Sequence, residues 1–304
     1  MPELIDYAVE LDVARALDED VGFPLPNPLP LAGEGASVAL RAPKAINDLT
    51  ARLIPATQTA HARVITRDEA VIAGRPWFDA CFRALDLGCT LNWQVKEGDT
   101  VKAGSVLVEI SGNARALLTA ERPALNFLQT LSAVATATRP YVEAVRGTRA
   151  AILDTRKTLP GLRIAEKYAV RVGGGQNQRV GLYDGILIKE NHIMAAGGIA
   201  QVLAAAYALA EGKVSVQIEV ENQDELEQAL AAGASLILLD NFSLEDMRRA
   251  VQLARGRALL EASGNITLDT VRAVADTGVD RISIGGLTKH IRAVDLSMRI
   301  DTHA

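Results

Sequence analysis

The sequence predicts an α/β fold whose second half, after residue 150, forms an open or incomplete (β/α) barrel. Short apolar runs alternate there with amphipathic segments, and runs that are apolar on both faces are typical of parallel strands covered by helices. The runs are AILD, GILIK, VQIEVE, LILLDN, ALLEASGN and RISIGG. They are fewer than the strands of a complete barrel, and the first lacks the glycine-rich turn of a doubly wound dinucleotide-binding fold.

The predicted helices between these strands carry their own boundary signals. Ser243 with Asp246, and Asn222 with Glu225, have the spacing of a capping box. A glycine follows each predicted helix, at the position where helices commonly stop. The predicted helices are residues 162–172, 198–211, 223–232, 244–255 and 268–277.

The first part of the chain has a different pattern, in which helices precede short β segments. Residues 1–60 have helical periodicity, interrupted by a Pro- and Gly-rich stretch at 23–36 that we expect to be a surface loop. Short β segments are predicted from about residue 62 to residue 112. The sequence therefore predicts a separate N-terminal domain.

A long helix is predicted to connect this domain to the second half. It is expected to start near residue 121, because Pro123 suits the first turn of a helix. Leu125, Leu128 and Leu131 then recur at helical spacing. Pro140 is expected to end or kink this helix.

Composition excludes several classes of protein. The chain has 304 residues, is 49% hydrophobic and carries a net charge of −5, so it can bury a large core and lacks the basic surface of nucleic-acid binders. Its cysteines, Cys81 and Cys89, match no zinc or disulfide pattern. We find neither a signal peptide nor an apolar run long enough to span a membrane. We therefore expect a cytoplasmic protein with no nucleic-acid or membrane partner.

Charged and polar side chains follow the predicted strands at the point where each strand ends. The carboxyl ends of parallel strands lie at one edge of a sheet, where the active sites of such folds form. In chain order these residues are Arg156 and Lys157; Lys189; Glu219 and Glu221; Asp240 and Asn241; Glu261, Ser263, Gly264 and Asn265; Gly285 and Gly286. We expect them to converge on one concave site.

This order of charges indicates a ligand with several negative charges. Arg binds carboxylate or phosphate through paired hydrogen bonds, Lys supplies a point charge, and Ser-Gly-Asn and Gly-Gly turns offer backbone N–H groups to phosphate. Glu219 and Asp240 would repel that ligand unless Mg²⁺ bridges them to it, or unless they stabilise a developing positive charge such as an oxocarbenium ion. Together these groups suggest transfer to or from a phosphorylated ribose.

Several longer motifs, in a compatible order, resemble those of one enzyme family. They are ERPALNFLQTLSAVATAT, then LDTRKTLPGLRIAEKYAVRVGGGQNQRVGLYDGILIKENHI, and afterwards IEVEN, LILLDNF, ASGN and ISIGGLTKH. From about residue 50 to the end, the chain closely resembles the quinolinate phosphoribosyltransferases, which are the carboxylating nicotinate-nucleotide pyrophosphorylases.

The resemblance implies a reaction, a fold and an assembly. Quinolinate and phosphoribosyl pyrophosphate (PRPP) would react with Mg²⁺, and without an organic cofactor, to give nicotinate mononucleotide, pyrophosphate and CO₂. The implied fold is an N-terminal α/β sandwich of residues 1–128, which the tail 291–304 joins, and an open α/β barrel of residues 129–290. The implied assembly is a homodimer in which the N-terminal domain of one subunit closes the barrel of the other.

The resemblance also implies roles for individual residues. The implied quinolinate contacts are Arg122 from the partner subunit, Arg156, Gln178, Arg179 and Lys189. The implied PRPP and phosphate contacts are Lys157, Ser263, Gly264, Asn265, Gly285 and Gly286. The implied catalytic residues are Lys157, Glu219 and Asp240, and the two carboxylates would also lie near the metal. Family members usually have His where this chain has Gln178, and an amide cannot carry a charge.

Three other functions use the same residues. A related phosphoribosyltransferase could act on nicotinate, although a ring with a single carboxylate needs fewer cations. A Schiff-base lyase could use Lys157 or Lys189 on a barrel strand. A non-catalytic phosphate-binding protein would need the cations but not the carboxylates. The sequence also leaves open whether His192 is a structural residue at a helix start or part of the site.

Overall fold

The computed structural model describes residues 2–21 and 47–301 of the chain. The surface loop expected at 23–36 lies outside these residues. The described chain forms two compact units, of which the first is drawn from residues 1–136, 159–173 and 290–304 and the second from residues 137–158 and 174–289. The domain boundaries implied by the resemblance, after residues 128 and 290, stay a prediction.

The first unit contains an antiparallel sheet and several helices. Its helices are α1 (Pro2–Val21), α2 (Arg75–Leu85), the greater part of α3 (Ala114–Ala144) and α4 (Arg163–Val172). Its strands are β1 (Thr59–Thr66), β2 (Ala70–Val71), β3 (Thr90–Trp93), β4 (Thr100–Val101), β5 (Val106–Asn113) and β12 (Leu296–Asp301). The main sheet has the order β12–β1–β5–β3, and β2 pairs with β4. Because β12 pairs with β1, the C-terminal segment of the chain returns to this unit.

Helix α2 is an element that the sequence prediction lacks. Trp77 and Phe78 are fully buried and Phe82 nearly so, and the ring of Phe78 contacts those of Phe82 and Trp93. Burying such a side chain contributes about 1.5–3 kcal/mol, so this face fixes the helix against the first unit's core. The available signal was Pro76 in the first turn, followed by aromatic residues at helical spacing.

Helix α3 begins earlier than predicted. The side-chain oxygen of Asn113 accepts the N–H groups of Arg115 at 3.1 Å and of Ala116 at 3.2 Å, so Asn113 acts as the N-terminal cap. The helix therefore starts at Ala114 rather than near residue 121, and Pro123 lies inside it.

Pro140 does not end α3, because the helix continues to Ala144; the other expected outcome, a kink at Pro140, stays a prediction. A proline inside a helix removes one backbone hydrogen bond, but the remaining bonds and the buried face can hold the helix together. The predicted spacing of that face is confirmed, since Leu125, Leu128 and Leu131 are at most 1% exposed.

The second unit contains a six-stranded parallel sheet and the helices that connect its strands. Its strands are β6 (Ala151–Leu153), β7 (Gly185–Ile188), β8 (Ser215–Val220), β9 (Leu236–Asp240), β10 (Leu259–Ser263) and β11 (Arg281–Ser283). Its helices are α5 (Glu190–Ala196), α6 (Ile199–Ala210), α7 (Gln223–Ala231), α8 (Leu244–Ala254), α9 (Leu268–Ala275) and α10 (Gly286–Lys289), together with the end of α3.

The strand order β6–β11–β10–β9–β8–β7 confirms the open barrel. The first strand, β6, lies next to the last one, β11, as it would in a barrel. β6 and β7 follow each other in the chain but form the two edges of the sheet, so the ring stays open between them. The predicted helix caps are also present: Ser243 Oγ accepts the N–H of Asp246 at 3.1 Å, and Asn222 Oδ1 accepts that of Glu225 at 2.9 Å.

No single helix among the described residues is long and apolar enough to cross a membrane. Helices α5 and α6 meet the length and composition criteria only when they are taken together, and they bend by 97° at the break between them.

Candidate active site

The segment after β6 places two cations at the carboxyl edge of the parallel sheet. Arg156 is half-buried, and its Nε atom is buried without a hydrogen-bond partner among the described residues. Leaving a buried charged donor unpaired is costly, so this position suits an anionic ligand. Lys157 is exposed, and its carbonyl accepts the hydroxyl of Thr288 at 2.8 Å.

A second guanidinium lies close to the first. Arg179 Nη1 donates to the carbonyl of Gly185 at 2.9 Å. Burial lowers the pKa of Arg179, and the positive charge of Arg156 lowers it further, while Asp184 opposes the effect. Because the two like charges repel each other, a bound anion would stabilise both. The structure thus brings together Arg156 and Arg179, which the resemblance assigns to the same ligand.

Lys189 and Glu219 form an ion pair across the ends of the neighbouring strands β7 and β8. Lys189 Nζ and Glu219 Oε2 are 2.7 Å apart, and the lysine side chain is half exposed. Such exposed pairs stabilise a fold by only about 0–1 kcal/mol, so the lysine can exchange this partner for a ligand at little cost. His192 Nδ1 accepts the backbone N–H of Lys189 at 3.1 Å, which gives this histidine a structural role at the start of α5.

The middle strands gather carboxylates at the same edge. The negative charge of Glu190 is the largest cause of a raised pKa at Glu221. Desolvation is the second cause, and neighbouring carboxylates that include Asp240 and Glu219 raise the pKa further. Mutual repulsion of this kind favours a nearby cation. Asp240 Oδ2 accepts from the amide of Asn241 at 2.9 Å.

The carboxylates at the strand ends suit Mg²⁺ only if the metal is also bound by substrate phosphates. Within the described residues, no group of three or more His, Cys, Asp or Glu side chains is arranged to hold a metal ion. Mg²⁺ commonly keeps several waters and is bound by one or two carboxylates together with substrate phosphates. Glu219 and Asp240 fit that second mode, because each belongs to the carboxylate cluster at the strand ends.

The loop after β10 contains a position that only glycine fits. Gly264 has φ +106°, and a Cβ there would lie 2.2 Å from Asn241 Oδ1 and 3.1 Å from the Asn241 backbone nitrogen. Asn241 and Asn265 also have positive φ, and the Asn241 N–H donates to the carbonyl of Ser263 at 3.0 Å. The loops after β9 and β10 are therefore held in close contact.

Gly264→Ala is expected to lower the free energy of unfolding by about 1–3 kcal/mol, because the new methyl group meets Asn241 in a strained backbone conformation. Denaturant unfolding measures this. Gly233→Ala is the matched control, since Gly233 also has positive φ but a Cβ there meets nothing within 4 Å. Equal losses from the two variants would show that the contact with Asn241 has no energetic effect.

Two residues with implied phosphate roles also lie together. A Cβ on Gly285 would lie 3.1 Å from Lys157 Cδ and 3.6 Å from Lys157 Nζ. The lysine side chain thus passes over a backbone that has no side chain of its own. Gly286 is the next residue and begins α10.

The remaining predicted residues are placed differently. Arg122 lies on α3 and is exposed; it belongs to the first unit, whereas all the other predicted site residues belong to the second.

The side-chain amide of Gln178 donates to Glu261 and lies 3.5 Å from Gln217 Oε1. The expectation that Glu261 belongs to the concave site is wrong, because its side chain is completely buried and accepts from Gln178 and Gln217. The available signal for this buried polar group was a polar residue in the interior of each of two apolar runs, Gln217 in VQIEV and Glu261 in ALLEAS.

An open parallel α/β barrel that gathers arginines, lysines and carboxylates at its strand ends belongs to the class of α/β-barrel enzymes, with a site at that edge that suits anionic ligands. Comparison with family models then identifies one family. Residues 48–132 match the N-terminal domain of quinolinate phosphoribosyl transferase, and residues 134–299 match its C-terminal domain. The chain belongs to the quinolinate phosphoribosyltransferase family.

Individual relatives agree with this assignment. The chain is 42% identical over 253 residues to a probable carboxylating nicotinate-nucleotide pyrophosphorylase of Bacillus subtilis, covering 83% of this chain and 88% of the relative. It is 38% identical over 276 residues to the mitochondrial decarboxylating quinolinate phosphoribosyltransferase 2a of Nicotiana tabacum, covering 84% of this chain and 78% of the relative. The nicotinate-nucleotide pyrophosphorylase structure from Francisella tularensis superimposes with a TM-score of 0.85 at 42% identity, covering 97% of this chain and 96% of that one.

Proposed function

We propose that this protein transfers the phosphoribosyl group of PRPP to quinolinate and releases pyrophosphate and CO₂. The product is nicotinate mononucleotide, and the reaction is a step of NAD biosynthesis. The observation that carries the proposal is the buried Nε of Arg156, which has no hydrogen-bond partner in the described part of the chain, together with the guanidinium of Arg179, which lies within reach of the charge of Arg156. The relatives named for this reaction support the same conclusion.

The pair of guanidiniums suits the two adjacent carboxylates of quinolinate. Arg recognises a carboxylate through two parallel hydrogen bonds, which fixes the plane of the ligand as well as its position. Lys189, at the end of the neighbouring strand β7, adds a further positive charge. Holding both carboxylates sets the direction of the ring nitrogen, which must face the anomeric carbon of the sugar.

The transfer step breaks the bond between the anomeric carbon and the pyrophosphate oxygen, and the ring nitrogen forms the new bond to that carbon. Lys157 stabilises the charge that develops on the pyrophosphate. Glu219 and Asp240 stabilise the positive charge that develops on the ribose. When bound, Mg²⁺ would supply further neutralisation of the pyrophosphate, held at these two carboxylates.

Decarboxylation follows from the product of the first step. The nitrogen is now a pyridinium, so its positive charge stabilises the electron pair that stays on the adjacent ring carbon when the bond from that carbon to its carboxylate breaks. That bond breaks, CO₂ leaves, and a proton takes its place on the ring carbon. The substrate therefore provides its own electron sink, and the reaction needs no organic cofactor.

Incubation with quinolinate, PRPP and Mg²⁺, with each component omitted in turn, tests this proposal. We expect nicotinate mononucleotide and CO₂ only from the complete mixture, and strongly reduced turnover without the metal. Turnover in the absence of PRPP, or no product from the complete mixture, would contradict it. Borohydride trapping of a carbonyl substrate on Lys157 or Lys189 would instead favour a Schiff-base lyase.

We further propose a cytoplasmic homodimer in which Arg122 reaches the site of the partner. Support comes from its exposed position on α3 and from the family to which the chain belongs. The expected result is that Arg122→Ala and Arg156→Ala are each nearly inactive, and that mixed subunits regain activity. A mixed dimer would carry both changes in one site and neither in the other. Absence of recovery in verified mixed dimers would contradict the shared site.

A further inference from the structure

A buried carboxylate lies beneath the anion site and plays no part in the reaction steps described above. Glu261 on β10 is completely buried, and burial raises its pKa, while hydrogen bonds from Gln217, Ser283 and Gln178 oppose this shift. Its Oε2 accepts the amide of Gln217 at 3.0 Å, and its Oε1 accepts the amide of Gln178. A buried carboxylate with several donors is a rigid and costly arrangement that a purely apolar strand would avoid.

The orientation of the Gln178 amide follows from its two neighbours. Its Nε2 atom faces Glu261 Oε1 and lies 3.5 Å from Gln217 Oε1. The opposite orientation would place the amide oxygen against a carboxylate oxygen and a second amide oxygen, which is repulsive. The N–H groups of Gln178 are therefore directed into the sheet and used by the protein.

The same residue is fixed through its backbone. The N–H of Gln178 donates to Asp154 Oδ1 at 2.8 Å, and the amide of Asn177 donates to Asp154 Oδ2 at 2.6 Å. Asp154 directly precedes the segment that carries Arg156, and Gln178 directly precedes Arg179. Two buried carboxylates, Asp154 and Glu261, thus hold the chain segment that precedes Arg179.

We propose that Glu261 and Gln178 are positioning residues for quinolinate: their hydrogen bond places Arg179 against Arg156, and Gln178 does not donate to the substrate. This inference rests on the proposed function and goes beyond it, because the resemblance assigns Gln178 a direct contact with quinolinate. The geometry assigns that amide to Glu261 instead.

The test exchanges the two side chains and keeps the net charge. In Gln178→Glu, two carboxylates face each other, and kcat/KM for quinolinate is expected to fall by about a hundredfold. In the double variant Gln178→Glu/Glu261→Gln, the new amide donates to the new carboxylate and still accepts from Gln217. The double variant is expected to return to within about tenfold of the parent. Gln252→Glu, on the exposed face of α8, is the matched control.

The single variant Glu261→Gln provides a second and independent measurement. The amides of Gln178 and Gln217 donate to different oxygens of Glu261, and in the variant one of these oxygens becomes an NH₂ group that faces a donor, so the quinolinate KM is expected to rise about tenfold. The KM for PRPP is expected to stay within about twofold of the parent, which a general loss of structure would not produce. This variant keeps the shape of the buried side chain, so it is expected to fold.

Three results would overturn the inference. The first is a double variant whose kcat/KM for quinolinate is as low as that of Gln178→Glu. This result would mean that Gln178 donates to quinolinate itself, because a glutamate at that position cannot donate to a dicarboxylate. The second is a quinolinate KM that Glu261→Gln leaves unchanged, and the third is an equal rise in the KM of PRPP. If the parent protein itself does not convert quinolinate, the proposed function fails, and this outcome is separate from all three.

Discussion

Arg156→Ala is expected to lower kcat/KM for quinolinate by a factor between about 30 and several thousand. Removing one partner of a buried, charged hydrogen bond costs about 2–5 kcal/mol. The buried Nε of Arg156 lacks a partner among the described residues, so its interaction with the substrate carboxylate has no substitute within them. Steady-state kinetics with quinolinate varied at saturating PRPP measures the loss.

The exposed Arg248 on α8 provides the control for this prediction. Arg248→Ala removes the same charge from the protein but lies on a helix outside the strand ends, so kcat/KM is expected to stay within about twofold of the parent. If Arg156→Ala also leaves kcat/KM within a few-fold of the parent, Arg156 does not bind quinolinate and the assignment of the anion site is wrong.

Lys157→Met is expected to lower kcat/KM for PRPP by a comparable factor, at least about 30-fold. Methionine keeps most of the length of the side chain, which passes over Gly285, but removes the charge that stabilises the leaving pyrophosphate. Quinolinate binding in the absence of PRPP, measured by calorimetry, is expected to change by less than about threefold. The variant therefore separates the two substrates.

Lys102→Met is the matched control for Lys157→Met. Lys102→Met changes an exposed lysine of the first unit and is expected to leave both substrates unaffected. If Lys157→Met weakens quinolinate as strongly as PRPP, the lysine belongs to the dicarboxylate site. If it weakens neither, the residues that hold the phosphate groups must be sought elsewhere on the strand-end edge.

The fold of the second unit could be predicted because its signals are local. Apolar runs at the strand positions and caps such as Ser243 act over a few residues, and the helices α6 to α9 end within one or two residues of their predicted limits. The helix α2 and the start of α3 were not predicted. The periodicity of α2 is carried by few residues and its burial depends on the distant Trp93, which contacts Phe78, while the start of α3 depends on the cap from Asn113.

The site could be predicted only where topology determines it. Residues that follow parallel strands converge at one edge whatever the strand order, so the places of Arg156, Lys189, Glu219 and Asp240 at that edge follow from the sequence, while their roles stay predictions. The partners of Gln178 could not be found in this way. Glu261 is 83 residues away, and its contact with Gln178 depends on the packing between β10 and the segment before β7.

The most direct test of the account compares quinolinate with nicotinate as acceptors, with PRPP and Mg²⁺ present. We expect quinolinate to give equimolar nicotinate mononucleotide and CO₂. Nicotinate has a single carboxylate for Arg156 and Arg179, so its kcat/KM is expected to be at least about a hundredfold lower. Equal or faster turnover of nicotinate, or product from quinolinate without CO₂, would contradict a site built for a dicarboxylate.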